Sequence, residues 1–292
     1  MDRLSALLEL FSPKTELIEL LTCNQPVLVL PALSSISIVH QGYAHISVDN
    51  QLDTRLQRGD LIWVTQHSHR HVTVDSDDFQ LLCCQLTFGA VKLNPLFDML
   101  PPILQIKHDD NARQTLDPMI QLPLQESQQQ RCGQETVLDR LGEVLLVHVL
   151  RFLMANKKVE SGVLAGLSDI RLARAITAMH REPKERWSTG SLAAQAGMSR
   201  TAFNLHFHQT VGCPPGEYLS QWRMRLACRL LETSNVLISH IVDQLGYQSE
   251  TTFFRAFRKR IGVSTRQLPL VLILRCRHST PPIYGYSRIA AD

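Results

Sequence analysis

A chain of 292 residues that is 44% hydrophobic and 20% charged can bury a proper core, and its length favours two domains over a single large one. The net charge of +3 is unevenly spread: residues 1–161 carry 13 Lys and Arg against 19 Asp and Glu, whereas residues 162–292 carry 17 against 8. The halves therefore stand at −6 and +9, and only the second suits a phosphate backbone. Seven cysteines, with Cys83 and Cys84 adjacent, do not read as a secreted disulfide framework, so a reducing cytoplasm is the expected location. The start MDRLSALLELF lacks a basic stretch and a cleavage site, and no signal peptide is expected. The longest apolar run, LPLVLIL at 268–274, falls far short of the roughly 18 residues that span a bilayer, so no membrane partner is expected either.

From about residue 26 to 90 short β-branched stretches alternate with turns: PVLVLP, SISIVH, AHISV, a turn at Asp49-Asn50-Gln51, then LQRGDLIWV, HVTV and FQLLCCQLTF. That spacing predicts a small all-β sandwich or barrel. Helical character follows. In ETVLDRLGEVLLVHVLRFLM, Leu138, Leu141, Leu145, His148 and Phe152 recur at steps of three and four, an amphipathic stripe that packs either on its own domain or on a second copy of the chain. His148 reads as a polar group within that face, not as a ligand. The stretch NKKVESGVLAGLSD, 156–169, reads as a linker. The expected layout is α+β, with a sensor and dimerisation domain over 1–160, an all-α domain over 168–268 and an unassigned tail over 269–292.

Past the linker, SRTAFNLHFHQTVG from Ser199 and SETTFFRAFRKRIG from Ser249 repeat at an offset of 50 residues. Ser199/Ser249, Thr201/Thr251, Phe203/Phe253, Phe207/Phe257 and Gly212/Gly262 coincide, a strong repeat signal. Each serine is a good N-cap, the phenylalanines at i and i+4 share a buried face, and the glycine permits the turn after the helix. Before each copy comes a short apolar helix and a glycine turn, SLAAQAGMS with Gly197 and SHIVDQLGYQS with Gly246, and small residues such as Ala193 let two helices cross closely. Each unit thus reads as helix, turn, second helix. With the phenylalanines inward, the first helix presents Arg200, Thr201, Asn204, Leu205 and His208, and the second Glu250, Thr251, Phe254, Arg255 and Arg258, with Lys259 beside it. Asn, Thr and Arg can read base edges in a major groove, and flanking Arg and Lys can meet phosphates. Between the copies, EYLSQWRMRLACRLLE sets Tyr218, Trp222, Leu226 and Leu230 on one stripe, with Arg223, Arg225 and Arg229 largely off it. A stiff helix there holds the two readers apart. The other reading of the repeat is a helical surface that binds protein.

The stretches WSTGSLAAQAGMSRTAFNLHFHQTVGCPPGEYLSQWRMRLACRLLE and ISHIVDQLGYQSETTFFRAFRKRIGVS resemble the AraC/XylS regulators. That resemblance implies two recognition helices in successive major grooves of double-stranded DNA, with base-reading positions on Thr201, Asn204 and Leu205 and on Glu250, Thr251, Thr252 and Arg255. It also implies an activator that meets RNA polymerase. Two departures are Val242, where the family usually has alanine, and Thr265 with Leu268, where proline and an aromatic are usual. The first half is similar to a cupin-like β-barrel followed by helices, through LQRGDLIWV, LLCCQLTFG, PLFDMLPPILQI, LDRLGEVLLVHVLR and LSDIRLARAITAMHREPKERW. In regulators of that type the barrel senses a signal and controls the DNA-binding half.

His67, His69 and His71 alternate and share one face of a strand, the way a cupin offers imidazoles to a metal. Where a cupin has proline, glycine and histidine after Gly59-Asp60, this chain has Thr65, His67 and Arg70, and no carboxylate completes the set. No metal or other cofactor is therefore expected. Cys83 stands where the sensor type often has a cysteine followed by glycine, here Cys84. On a strand the two point to opposite faces, so one is expected buried and the other nearer the surface. Oxidative linkage of Cys23 to Cys83 or Cys84 is one input the resemblance suggests, and buried structural thiols are the other reading. No catalytic triad, P-loop or dinucleotide fingerprint stands out, and an enzyme is not expected. The expected function is a sequence-specific transcription regulator answering a small molecule or an oxidant; the alternative is a cupin metalloenzyme with a helical accessory domain.

Overall fold

The computed structural model describes residues 2–22, 27–30, 34–48, 52–65, 70–88, 100–129, 131–233 and 237–261. Its described residues divide into two compact units, one of Pro13–Thr87 and Leu100–Phe152, the other of the N-terminal dozen residues with 153–261.

Among its described residues the first unit has nine strands, β1 (Lys14–Thr22), β2 (Val27–Leu30), β3 (Ser35–Gln41), β4 (Tyr43–Val48), β5 (Leu52–Gln57), β6 (Leu61–Val64), β7 (Arg70–Val74), β8 (Gln80–Thr87) and β9 (Ile103–Ile106). They form a five-stranded sheet in the order β1-β8-β3-β6-β9 and a four-stranded sheet in the order β2-β7-β4-β5. Every pairing is antiparallel. Strands from both sheets feed one apolar layer between them, including Val39, Ile46, Leu56, Ile62, Val72, Phe79 and Leu81. The predicted turn at 49–51 lies outside the described residues; the strands beside it pair with Val48 opposite Leu52. LQRGDLIWV breaks into β5 and β6 at Gly59, whose φ of +87° an L side chain rarely adopts. Behind that turn the Asp60 carboxylate, buried, accepts from the backbone N–H of His108 at 2.9 Å and from Gln105 Nε2 at 3.0 Å.

The five-stranded sheet is buried on both faces, which is why β8 reads as the near-continuous run QLLCCQLT rather than as an alternation. Its outer face is covered by helix, with α2 (Asp117–Gln128) against β1 and α3 (Gln134–Ala155) over β1 and β8. On α3 the buried side chains are Leu138, Leu145, Leu146, Val149, Leu150, Phe152 and Leu153, while Val137 and Val144 face solvent at 43% and 42% exposure. The inward stripe is thus wider than the predicted one and is centred one position later, with Leu141 and His148 at its edge.

Gly142 explains the close approach of α3. A Cβ on it would collide with Thr15 Oγ1 and stand 2.7 Å from Cys84 Sγ. Gly142→Ala adds about 1 kcal/mol of helix propensity yet overpacks this contact, so a net loss of about 1–2 kcal/mol is expected in urea unfolding. Thr15→Ala removes the obstructing hydroxyl, so the double variant should be more stable than the sum of the single losses allows. Additivity within about 0.5 kcal/mol would show that the helix does not rest there.

The second unit is helical: α1 (Ser5–Phe11), α4 (Val163–Ser168), α5 (Ile170–Arg181), α6 (Thr189–Ala196), α7 (Arg200–Val211), α8 (Pro215–Thr233), α9 (Ile238–Gln244) and α10 (Glu250–Ile261). α1 packs on α5 and α8, and Arg3 Nη1 donates to the Leu167 carbonyl at 3.0 Å. The stretch expected as a linker instead contains α4, buried from Val163 to Leu167 and wedged against α5 and α7. Its VLAGL core outweighs its polar flanks.

Candidate nucleic-acid interface

Both repeats fold as helix, turn, helix with the local chemistry their residues dictate. Ser199 Oγ accepts from Ala202 N at 3.3 Å to start α7, and Ser249 Oγ accepts from Thr252 N at 3.2 Å to start α10. Gly197 and Gly246 make the turns with φ of +64° and +72°. Ser188 and Ser191 close a reciprocal capping box at the head of α6. Phe203, Phe207, Phe253 and Phe257 are fully buried, each pair with ring centroids about one helical turn apart, at 5.5 and 5.6 Å. Val242 fits the second unit's core with Ile241, Leu245, Phe253 and Phe257 in place of a smaller residue.

The opposite faces are open to solvent. Arg200, Thr201, Asn204, Leu205 and His208 of α7 are exposed, as are Glu250, Thr251, Thr252, Phe254, Arg255, Arg258 and Lys259 of α10. The α7 residues and Thr189 line one hollow. Arg200 lies across the head of α6, its Nε 2.7 Å from where a Cβ on Gly190 would stand. A larger residue at that position would push the guanidinium aside. Basic residues also fill the last turn of α10, with Arg258, Lys259 and Arg260.

Two contacts that brace α7 escaped sequence reading. His206 Nε2 lies 2.8 Å from Asp169 Oδ2, while Asp169 Oδ1 caps α5 by accepting from the N–H groups of Arg171 and Leu172. Burial alone would raise the Asp169 carboxyl, but the Leu172 N–H, His206 and the Arg171 N–H together hold it below the usual range. The Gly162 N–H donates to the Thr210 carbonyl at the far end of α7. Asp169 before an apolar helix was the available signal for the cap; nothing local points to His206 as its second partner.

In the sheet unit, Cys83 faces the layer between the sheets, its Sγ 3.6 Å from Ser37 Oγ, and Cys84 faces Thr15 and α3. Both are buried, because helix covers the face that was expected to lie near the surface. Burial pushes the Cys84 thiol up to about 12, against the opposing bond from Thr15. Cys23 lies outside the described residues; the last one before it, Thr22, stands opposite Gln80 on β8. His67 and His69 also lie outside, while His71 sits half-buried on β7 opposite Val29 and Ser47. Among the described residues no three His, Cys, Asp or Glu side chains converge as metal ligands.

A family model described as cupin matches residues 2–155, more than half of the chain, and one described as a helix-turn-helix domain matches residues 192–268. An AraC-like transcription regulator of Streptomyces lividans is 35% identical over 188 residues, 64% of this chain and 62% of that one. This chain belongs to the cupin family through its first half and carries an AraC-type helix-turn-helix domain in its second. An uncharacterised HTH-type transcriptional regulator of Haemophilus influenzae is 36% identical over 190 residues, covering 65% of this chain and 62% of the relative. The first relatives are therefore spanned over less than two thirds of their own length. The transcriptional activator RclR of Escherichia coli, described as RCS-specific, is 24% identical over 278 residues, 90% of this chain and 95% of its own. Among the described residues of this chain no helix is long and apolar enough to cross a membrane.

Proposed function

We propose that this chain is a sequence-specific transcription regulator, an activator, in which the cupin unit receives a signal and α7 and α10 read double-stranded DNA. The observation that carries this reading is the duplicated unit itself: two serine-capped helices, each with its phenylalanines inward and an exposed face of Thr, Asn and Arg. In the first, Thr201, Asn204 and Leu205 meet base edges, with Arg200 and His208 flanking; in the second, Glu250, Thr251, Thr252 and Arg255 do so, with Arg258 and Lys259 on phosphates. The signal is a small molecule or an oxidant, the oxidant form acting through Cys23 with Cys83 or Cys84. RNA polymerase and a second copy of the chain are the proposed protein partners. Val137 and Val144, exposed on α3, favour that second copy docking through residues 136–154.

The test is selection of binding sites from a random DNA pool by the purified chain at near-physiological salt, with and without mild oxidant. Two short blocks about one helical turn apart, ~10 bp, are expected. No enrichment in either condition sinks the reading and favours the protein-binding surface instead. On the selected site, Arg255→Ala should cost about 1–3 kcal/mol and relax preference in one block only, whereas Lys259→Ala should weaken all sequences alike and lower the salt slope by about 1.

A further inference from the structure

The second helix-turn-helix unit meets the segment ahead of the first through a glycine. Gly246, in the turn between α9 and α10, lies against Lys184, in the connection between α5 and α6. A Cβ on Gly246 would collide with the Lys184 carbonyl oxygen and stand 3.0 Å from its C and Cα. Backbone therefore meets backbone, with Tyr247 next in line and packed edge-on against Phe253 of α10 at 5.5 Å.

Arg223 of α8 closes this junction. Its Nε donates to the Pro183 carbonyl at 2.7 Å and its Nη2 to the Glu185 carbonyl at 3.0 Å, on either side of Lys184. Its guanidinium carbon stands 5.8 Å from the centre of the Tyr247 ring. One planar group thus grips the connection ahead of the first reading unit and the turn that launches the second recognition helix. A guanidinium fork can hold two carbonyls and lie over a ring; an ammonium cannot hold all three in one plane. At its other end α10 has a second tether to α8, Arg260 Nη1 to Glu217 Oε1 at 3.5 Å.

We propose that Arg223 is a positioning residue that fixes the offset between α7 and α10, and so sets the spacing between the two DNA blocks the protein accepts. The inference rests on the DNA-binding reading above. Leverage makes the junction matter: α10 has 12 residues and is therefore about 18 Å long. A tilt of about 10° at its start would move its far end by ~3 Å, close to the 3.4 Å between successive base pairs. Slack at the clasp therefore translates into tolerance of one base pair more or less between blocks.

The experiment uses the full-length chain and its own selected site, with the interval between blocks changed by one and two base pairs, and with each block alone. Wild type should prefer one interval over its neighbours by about tenfold or more, the scale of one mismatched base pair. Arg223→Ala and Arg223→Lys should both reduce that preference to about threefold or less, while binding to each single block stays within about twofold. The lysine variant keeps the charge, so its failure to hold the interval separates positioning from lost phosphate attraction. Wild-type spacing preference retained in both variants overturns the proposal, as does a matching loss on single blocks, which would mark Arg223 as merely holding the fold. If wild type itself selects no paired blocks, the proposal falls together with the DNA-binding reading, a result plainly different from the other two.

Discussion

Phe207→Ala is expected to destabilise the helical unit by about 3–5 kcal/mol, the range for deleting a fully buried ring. Phe207 has no exposed surface and sits between Phe203, at 5.5 Å, and Tyr218, which meets it edge-on at 5.8 Å. The helix it belongs to has 12 residues and keeps only Phe203, Phe207 and Val211 inside. A helix that short draws its stability from packing and not from propensity. Removing one of three anchors leaves a cavity next to two rings that cannot both collapse into it. Since a domain has roughly 5–15 kcal/mol in hand, that loss should lower the midpoint of urea unfolding sharply and abolish recognition by α7. The matched control is Leu205→Ala two residues earlier, on the reading face at 58% exposure, expected within about 0.5 kcal/mol of wild type. Loss of DNA binding by Leu205→Ala with the fold intact, beside unfolding by Phe207→Ala, would separate the two faces of one helix. Equal, small effects on stability from both would refute the packing argument.

The contrast between these neighbours also marks how far sequence alone reaches. The capping serines, the turn glycines and the paired phenylalanines are local features, each obeying rules that operate within four residues, and the 50-residue repeat supplied a second copy against which to check them. The strands of the sheet unit were legible for the same reason wherever β-branched residues lie between turns, as in β3, β4 and β7. β1 was missed because its stretch KTELIELLT carries polar and apolar residues in no clean alternation, and it becomes a strand by pairing with β8. α4 was missed because a six-residue buried helix has too few residues to show a period. Arg223 and Arg225 fall largely off the apolar stripe of α8, yet Arg225 is buried and Arg223 clasps a distant loop. The two carbonyls that Arg223 holds lie 40 and 38 residues away, and no periodicity along α8 could announce them. Gly142 was the one tertiary signal present but unused: a glycine inside a strongly amphipathic helix marks close approach of another backbone or sheet.

The stability of the helical unit should fall as pH drops below about 6.5, through the buried ring of His180. Its ring is buried, stacked on Trp222 at 3.6 Å, with Nε2 2.7 Å from the Tyr218 hydroxyl. Burial, and then the charge of Arg225, depress its pKa to about 3. Trp222 Nε1 and Thr177 Oγ1, both buried, have no hydrogen-bond partner among the described residues, so the ring sits in a core already short of polar partners. The direction follows from proton counting. In the unfolded chain His180 takes up a proton near pH 6.5, whereas in the fold it remains neutral down to about pH 3. Between those values the unfolded state binds more protons, so stability rises with pH and is lost on acidification, by up to about 1.4 kcal/mol per pH unit. From pH 6.5 to 4.5 that amounts to roughly 2–3 kcal/mol, well before most carboxylates titrate. The measurement is urea unfolding at half-unit pH steps for wild type and His180→Gln, an uncharged side chain that keeps an amide for Tyr218. The variant should be less stable at pH 7 because it loses the stacked ring, yet its stability should hardly change between pH 6.5 and 4.5. If the two slopes are the same, the acid sensitivity resides elsewhere and His180 is protonated in the fold. If they diverge as expected, the same core that positions α8 between the two reading helices also sets the lower pH limit at which they stay in place.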